Sequence, residues 1–383
     1  MSAIRSVFVL NTGSSSVKYR VVDVESGEVS ANGSIDRIGE PGSEASDHRV
    51  AIARILNRLA GLRFDAVGHR IVHGGDRFVA ATVIDDDVEL SIEQLAPLAP
   101  LHNPPGLLGI RAARAALPGL AQVAVFDTAF HAGLPEAARR YAIDAELADR
   151  YGIRRYGFHG TSYRIVSERA AAFLGRPLDE LRMIVLHLGN GASAAAIAGG
   201  RSVDTSMGMT PLEGLVMGTR SGDIDPAVLL FLQRNAGMDA DELDALLNRR
   251  SGILGLSGHV DMRGLVAAVD AGDPTAHTAL GIYLHRLRHY IGAYAAVLGG
   301  LDALVFTAGV GENSREVRSG AVEGLGFLGL RIDPVANAAA GAAPRRISAP
   351  DAPVEILVVP TDEELQIARE TAAVLEARAR PRP

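Results

Sequence analysis

Apolar residues gather in two short runs near the N-terminus, at 7–11 and 17–24, on either side of the small polar block "NTGSSS". Strand-length apolar runs flanking such a block predict a β-hairpin. Further strand-like runs cover 65–73 and "QVAVF" at 122–126. "HRVAIARILNRL" (48–59) spaces its apolar positions as a helix does. In "HNPPGLLGIRAARAAL", Pro104 and Pro105 stand where a helix begins. "GTSYRIVSERAAAFLG" reads as a helix with Ser or Thr at its start and Gly at its end.

The opening pattern then returns. "MIVLHLGNGASAAAIAGGRSVDTS" (183–206) is again strand, small polar turn, strand, with Gly189, Asn190, Gly191 and Ser193 between the strands. Helices are predicted at "DPAVLLFLQRNAG" and "DADELDALLNRR", and a long one near 274–298. "ALVFTAGVGENSREVRSGAV" predicts a strand, a glycine turn and a helix start, and "VEILVVPTDEELQIARETAAVL" a strand and a last helix. "AAAGAAPRRISAP" (338–350), of low complexity, reads as a surface loop.

The expected class is therefore α/β, in two halves each headed by a hairpin. The first turn ends in a lysine but lacks the GxxxxGK(S/T) spacing of a Walker loop, and no helix pattern follows it. Two such halves facing each other would grip nucleotide phosphates between their turns. Backbone amides in turns form anion-binding concavities, and glycine allows close approach. Two ordinary hairpins with polar turns are the plain alternative.

Composition narrows the classes. A length of 383 residues suits two domains, and 48% hydrophobic with 22% charged residues suits a globular core. A net charge of −7 argues against broad attraction to nucleic acid or an anionic membrane, so an anionic ligand must meet local Lys/Arg clusters. With no cysteine there is no disulfide or thiolate metal site. The N-terminal apolar run is too short for a secretory leader, and no run is long enough to span a bilayer. A cytoplasmic protein is expected.

The motifs "LNTGSSSVKY", "VGHRIVHGG", "LAPLHNPP", "VAVFDTAFH", "RRYGFHGTS", "LHLGNGAS", "DTSMGMTPLEGLVMGTRSGDIDP", "FTAGVGENS" and "PTDEELQIARET" cover nearly the whole chain. Together they resemble the acetate kinase family, within the superfamily of acetate and sugar kinases, actin and chaperones. The resemblance implies two ribonuclease H-like domains with a nucleotide cleft between them. The first would be 1–131, completed by a C-terminal helix at 365–383, and the second, nucleotide-binding, 132–364. It also implies ATP + acetate ⇌ ADP + acetyl phosphate with Mg²⁺ (or Mn²⁺), and a homodimer, for which the long helix near 274–298 is a candidate interface.

Acetate is already ionised at pH 7, so such an enzyme needs no strong base. It must bring two anions together by positioning and charge neutralisation. Arg70 and His73 lie in the strand-like "VGHRIVHGG", where an edge strand with exposed charges is the plain reading. The resemblance makes Arg70 the carboxylate holder. Arg220, otherwise a solvated loop arginine, is implied to bridge substrate and phosphoryl group, and its planar fork suits two oxygens. His159, otherwise a packed histidine beside a turn, is implied to donate to the phosphoryl group. Asp127, otherwise an N-cap, is by resemblance the catalytic acidic residue; since acetate needs no base, a role in placing the Mg²⁺ shell or Arg/His partners is expected. For His102 the resemblance implies a place near the site, with orienting its loop as the equal alternative.

For the metal the family implies Asn11 and Glu363, the latter otherwise a first-turn helix acid. For the nucleotide it implies Ser14, Ser16 and Lys18 of the first turn, and His187, Leu188, Gly189, Asn190 and Gly191 of the second. The adenosine would lie between Asp261, Met262 and Arg263 on one side and Gly309, Val310, Gly311, Glu312 and Asn313 on the other. "GVGEN" alone is common punctuation between strand and helix. Val72, Leu101, Phe158 and Pro211 match the family's pocket for the acetate methyl, although each alone reads as core.

One position departs. The family usually reads "GFHGTSH", and here the last residue is Tyr163. The chain is also short around 25–60. A kinase for a longer carboxylate such as propionate shares nearly all these motifs. A nucleotide-switched chaperone would carry a further peptide-binding domain, for which no room is expected after the last helix. An actin-like protein would not need Arg70, Arg220 and His159 around a small pocket, and a sugar kinase would need a general base.

Overall fold

In the computed structural model, which describes residues 4–379, the first two apolar runs pair as an antiparallel hairpin. β1 (Ser6–Thr12) and β2 (Ser16–Asp23) stay in register to Thr12↔Val17, so the turn is only Gly13–Ser15. β3 (Val29–Asp36) extends the meander. β4 (Ala66–Ile71) runs parallel to β1. The two-residue β5 (Thr82–Val83) lies antiparallel on the edge of β6 (Ala121–Phe126), which is parallel to β4. The order is β3-β2-β1-β4-β6-β5.

The second sheet repeats this plan. β7 (Arg182–Leu188), β8 (Ala192–Ala198) and β9 (Arg201–Thr205) form the meander. β10 (Ala303–Thr307) is parallel to β7. The two-residue β11 (Arg345–Arg346) lies antiparallel on β12 (Glu355–Val358), which is parallel to β10. The order β11-β12-β10-β7-β8-β9, read backwards, is that of the first sheet. The returning sequence pattern is therefore a repeat of topology.

Helices fill the crossovers. They are α1 (His48–Arg58), α2 (Asp86–Gln94), α3 (Asn103–Ala116), α4 (Glu136–Arg139), α5 (Ala145–Tyr151), α6 (Gly160–Leu174), α7 (Ala227–Ala236) and α8 (Ala240–Arg249). After them come α9 (Gly252–Ser257), α10 (Met262–Asp270), α11 (Pro274–Val297), α12 (Ala308–Asn313), α13 (Arg315–Val322), α14 (Pro334–Ala338) and α15 (Glu363–Ala379). Local chemistry starts many of them. Asp47 caps α1 by accepting from Val50 N. Pro104 and Pro105 occupy the first turn of α3, where no amide partner is needed. Asp239 and Glu242 close a capping box on α8. α11 buries Ala276, Ala279, Tyr283, Leu287, Ile291 and Tyr294 at three- and four-residue spacing.

By its contacts the chain divides into two units. One comprises Met1–Ala132, Gly160–Ser162 and Asp362–Pro383, the other Gly133–His159 and Tyr163–Thr361. In the first, Phe8, Leu10, Val21 and Ile35 of the sheet pack with Ile52 and Ile55 of α1. α15 lies close on β4, where a Cβ at Gly68 would come within 2.7 Å of Thr371 Oγ1 and 2.8 Å of Ile367 Cγ2. Arg20 of β2 ties its start through Asp362 at 2.9 Å. Residues 1–3 and 380–383 of the expected first domain lie outside the described residues.

Several local expectations change. β4 stands between β1 and β6, so Arg70 is not on an exposed edge strand. The strand ends at Ile71, Val72 lies at a bend, and His73 is buried with its backbone braced by Asn103. The cap of α6 is His159 at φ 57°, with no side-chain cap bond, in place of Ser or Thr. Ser193 lies in β8 opposite His187, outside the turn. The glycine run after β10 is helical, because Glu312 Oε1 accepts Ala308 N at 2.9 Å and Asn313 Nδ2 donates to Gly309 O at 2.8 Å. Within 338–350, Arg345 and Arg346 pair with β12 and Ile347 is fully buried, so this stretch is partly sheet edge.

His69 of β4 is buried and bonds Gln122 Oε1 at 2.8 Å. Burial outweighs that bond and pulls its pKa down to about 4, against about 6.5 for an exposed histidine. The unfolded chain therefore binds more protons across that window, and stability falls as pH drops through it. Urea midpoints should decline from about pH 6.5 toward about pH 4, and His69→Gln should flatten the decline. An equally steep curve in the variant would assign the acid sensitivity elsewhere.

Candidate functional site

In the first unit the polar residues gather where β1, β4 and β6 end. Arg70 sits near the end of β4 and Asp127 directly follows β6. Arg70 donates from Nε to Asp127 Oδ1 at 3.1 Å and from Nη2 to Oδ2 at 2.6 Å. This is the paired fork that fixes a guanidinium plane. Glu363, opening α15, stands 3.8 Å from Arg70 Nε. Burial opposes the charge on Arg70, but the Asp127 and Glu363 carboxylates outweigh it and hold its pKa above the ordinary range. With two carboxylates around one cation, this half leans acidic.

Asn11 and Lys18 are direct cross-strand partners, so their side chains share a face. Ser14 and Lys18 are exposed and Ser16 is half-buried. The turn is pinned at Gly13, whose amide donates to Ser16 O at 2.8 Å and whose carbonyl accepts from His48 Nε2 at 2.8 Å. His102 precedes α3 and is half-buried.

In the second unit His187 and Ser193 are opposed across β7 and β8. The His159 ring stacks on His187, centroids 4.1 Å apart and planes 15° apart, and its Nδ1 lies 2.8 Å from Ser193 Oγ. Tyr163, one turn along α6, brings its hydroxyl to 2.5 Å from the same Ser193 Oγ.

Arg220 stands on a tight turn closed by Met217 N donating to Arg220 O at 3.1 Å. Amides around the start of α9 hold that turn: Ser251 N to Thr219 O at 3.1 Å, Ile253 N to Met217 O and Leu254 N to Gly218 O, both at 2.9 Å. Gly252, at φ 63°, lies so close to the carbonyls of Met217 and Arg220 that no side chain fits. Arg220 Nη1 donates to Pro211 O at 2.7 Å. Among the described residues no carboxylate lies within ion-pair distance of it, and burial lowers its pKa.

These groups converge on the second hairpin turn. A Cβ on Gly191 would stand 3.6 Å from His159 Nε2 and 3.7 Å from Arg220 Nη2. One small volume is thus bordered by a glycine turn, an imidazole and a guanidinium. Asn190 locks the turn to the arginine loop, its carbonyl accepting Gly218 N at 3.1 Å and its side chain pressed on the Gly218 α-carbon. Leu188 is fully buried beneath it.

The other nucleotide candidates divide by exposure. Asp261 is exposed and caps α10 by accepting Gly264 N at 2.8 Å, Met262 is buried, and the Arg263 side chain is 95% exposed. A Cβ on Gly309 would meet nothing within 4 Å, and Asn313 is exposed. Val310 is half-buried. Gly311 and Glu312 are engaged by the protein itself. Arg318, 2% exposed, donates to their carbonyls at 3.0 and 2.9 Å, and burial brings its pKa down to about 10.

The methyl-pocket candidates fall two to each unit, Val72 and Leu101 in the first, Phe158 and Pro211 in the second. Leu101 is 43% exposed and so is not core, whereas Phe158 is buried. Sequence reading missed the brace behind Pro211. Arg155 donates to the carbonyls of Thr205, Ser206 and Met207 at 3.0, 3.2 and 3.1 Å and to Glu213 at 2.5 Å, and Tyr141 bonds Glu213 as well. Arg155 lies within the quoted "RRYGFHGTS", but nothing local marks its partners. His48 and Gly252 carry no local signal either.

Among the described residues no three His, Cys, Asp or Glu side chains gather as a metal cluster. Asn11 and Glu363 offer hard oxygens in the acid-leaning half. That donor set suits Mg²⁺ or Mn²⁺ held largely by phosphate oxygens and water. Among the described residues no helix is long and apolar enough to cross a membrane.

The chain matches the sequence model of the Acetokinase family over residues 6–369. It is 56% identical over 394 residues to the acetate kinase of Leifsonia xyli subsp. xyli (strain CTCB07), covering 97% of this chain and 99% of that protein. The solved acetate kinase of Porphyromonas gingivalis has a TM-score of 0.92 and 44% identity, covering 97% of this chain and 100% of that one. A propionate kinase from Francisella tularensis subsp. tularensis SCHU S4 has a TM-score of 0.91 and 38% identity, covering 96% and 98%.

Proposed function

The chain belongs to the acetokinase family, and from that premise we propose how its residues move a phosphoryl group between ATP and acetate. The reaction is ATP + acetate ⇌ ADP + acetyl phosphate. One observation carries the assignment of roles. Arg220, lacking a carboxylate partner among the described residues, shares the volume at Gly191 with His159 Nε2. A site made of donors and one unanswered positive charge is a receptor for an anion whose charge grows or shifts.

Arg220 and His159 hold the transferred phosphoryl group, and the amides of the 189–191 turn hold its neighbours. Arg70 binds the acetate carboxylate. Asp127 keeps the Arg70 plane fixed, since an ionised nucleophile needs no base. Ser14, Ser16 and Lys18 face the phosphates. Asp261–Arg263 and the exposed rim Gly309, Val310 and Asn313 border the adenosine, while Gly311 and Glu312 shape that rim from within. Val72 and Leu101 in one unit, and Phe158 and Pro211 in the other, are the residues assigned to the methyl group. Asn11 and Glu363 hold Mg²⁺, which when bound neutralises phosphate charge. A second copy of the chain covers α7, an apolar helix with no buried residue and with Phe231 61% exposed.

Propionate is the second reading, favoured by the likeness to the Francisella propionate kinase. Acetate is preferred because the acetate kinases reach higher identity.

Hydroxamate formation from ATP, Mg²⁺ and each acid tests the assignment. With acetate, propionate and glycerol in parallel, acetate should exceed propionate in kcat/KM by about tenfold, within the reach of one methylene in an apolar pocket, and glycerol should give nothing. A propionate preference would overturn the acetate reading.

Arg220→Ala should lower kcat by roughly 10³-fold or more, as loss of an arginine does in phosphoryl transfer. Gly191→Ala meets only ordinary contacts, so it should melt as the wild type does yet lose activity. Near-normal kinetics in both folded variants would sink the phosphoryl site.

Light scattering should report twice the chain mass, and Phe231→Glu should shift it toward one chain. A monomeric wild type would remove the proposed dimer.

A further inference from the structure

We propose that Tyr163 and Ser193 together set the tautomer of His159, so that its ring proton is held on Nε2, toward the Gly191 volume. The inference rests on the assignment of His159 to the phosphoryl group and adds how that histidine is kept a donor. Three atoms lie in a line of bonds: the Tyr163 hydroxyl, Ser193 Oγ at 2.5 Å, and His159 Nδ1 at 2.8 Å from that Oγ. Tyr163 and Ser193 are both fully buried.

The direction of the bonds follows from acidity. Each hydroxyl has one hydrogen. A phenol is a far stronger acid than an alcohol, so Tyr163 donates and Ser193 Oγ accepts. The single hydrogen of Ser193 then points to His159, and Nδ1 accepts it. A neutral imidazole that accepts on Nδ1 carries its proton on Nε2. Burial pushes the Tyr163 phenol up, above its ordinary range, which keeps it a donor. His187 stacks on the same ring, and Arg220 stands beside the same Gly191 position.

The nitrogen so protonated faces the volume beside Gly191 and Arg220. An anion there needs a donor. The opposite tautomer would present a lone pair to it and repel it. Tyr163 is thus a positioning residue acting through Ser193. It stands where the resembled family carries a histidine, whose N–H can fill the same place in the chain of bonds.

The test uses the full chain with ring-¹⁵N-labelled histidine. In the wild type His159 should show an unprotonated Nδ1 and a protonated Nε2. Tyr163→Phe removes one hydroxyl and should produce a mixture of both neutral tautomers. Its kcat should fall about tenfold, equal to about 1.4 kcal/mol of barrier, with KM for ATP and acetate within about twofold. Tyr163→His should restore the Nε2–H form and most of kcat. Should Tyr163→Phe not fold, Ser193→Ala should give the same mixture. An unchanged ring pattern in these variants, or both tautomers already mixed in the wild type, overturns the proposal. A changed pattern supports it even if His159→Gln proves fully active, a result that would instead remove His159 from the phosphoryl site.

Discussion

A half-buried guanidinium with no carboxylate beside it is stable only while something else keeps it there. Removing a buried charge's partner typically costs several kcal/mol, yet Arg220 has none among the described residues. Much of the second unit's local structure answers to that constraint. Amides around the start of α9 fix the Met217–Arg220 turn, and Gly252 fits where a side chain would collide. Asn190 clasps Gly218, and Arg155 with Glu213 holds the segment that gives Arg220 its carbonyl partner. Arg70 is the opposite case, flanked by Asp127 and Glu363. One half leaves a positive charge for a ligand to answer, while the other encloses its cation between two acids.

The same topology carries both arrangements. The polar groups stand at the carboxyl ends of three neighbouring parallel strands in the first sheet and of two in the second, where open α/β sheets commonly bind ligands. Asn11, Arg70 and Asp127 occupy the ends of β1, β4 and β6. In the second sheet His187 stands on β7, and the Glu312-capped α12 follows β10. Each first hairpin turn is pinned differently, by His48 at Gly13 and by Gly218 at Asn190. Duplicated backbone thus fixes where chemistry stands, and side chains decide which charge it has.

That division explains what was legible in the sequence. The two hairpins, the longer strands and most of the longer helices follow from runs of apolar residues whose period is local, and so they were legible, whereas the parallel pairing of the strands was not. The glycine turn at 189–191 was legible too, because only small residues stand there. The residues that aim the chemistry were not. Arg155 and Glu213 meet across 58 positions, and His159 and Ser193 across 34. No periodicity records such pairs. Ser193 looked like turn filler because it is small and polar, yet in register it faces His187. The glycine run at 308–313 read as a turn because propensity disfavours helix there, but the carboxylate of Glu312 closes the helix from within. Val72 fell within the strand-like run 65–73, yet the strand ends at Ile71 and Val72 stands at a bend.

Helix α6 shows the cost of aiming a side chain. A Ser or Thr at its cap would satisfy an N-terminal amide, worth about 1 kcal/mol. His159 stands there instead, with no cap bond and at φ 57°, a left-handed conformation that costs a residue with a Cβ about 1–2 kcal/mol. Two features hold it. Gly160 N bonds Asp127 O at 2.9 Å, and its α-carbon lies so close to that carbonyl that only glycine fits. The helix beyond is anchored by Tyr163, Ile165, Val166 and Ala170, all fully buried. The unused cap leaves the ring turned to His187 and Ser193. Local stability is given up at the one residue whose ring must be aimed, and packing one turn further along supplies it.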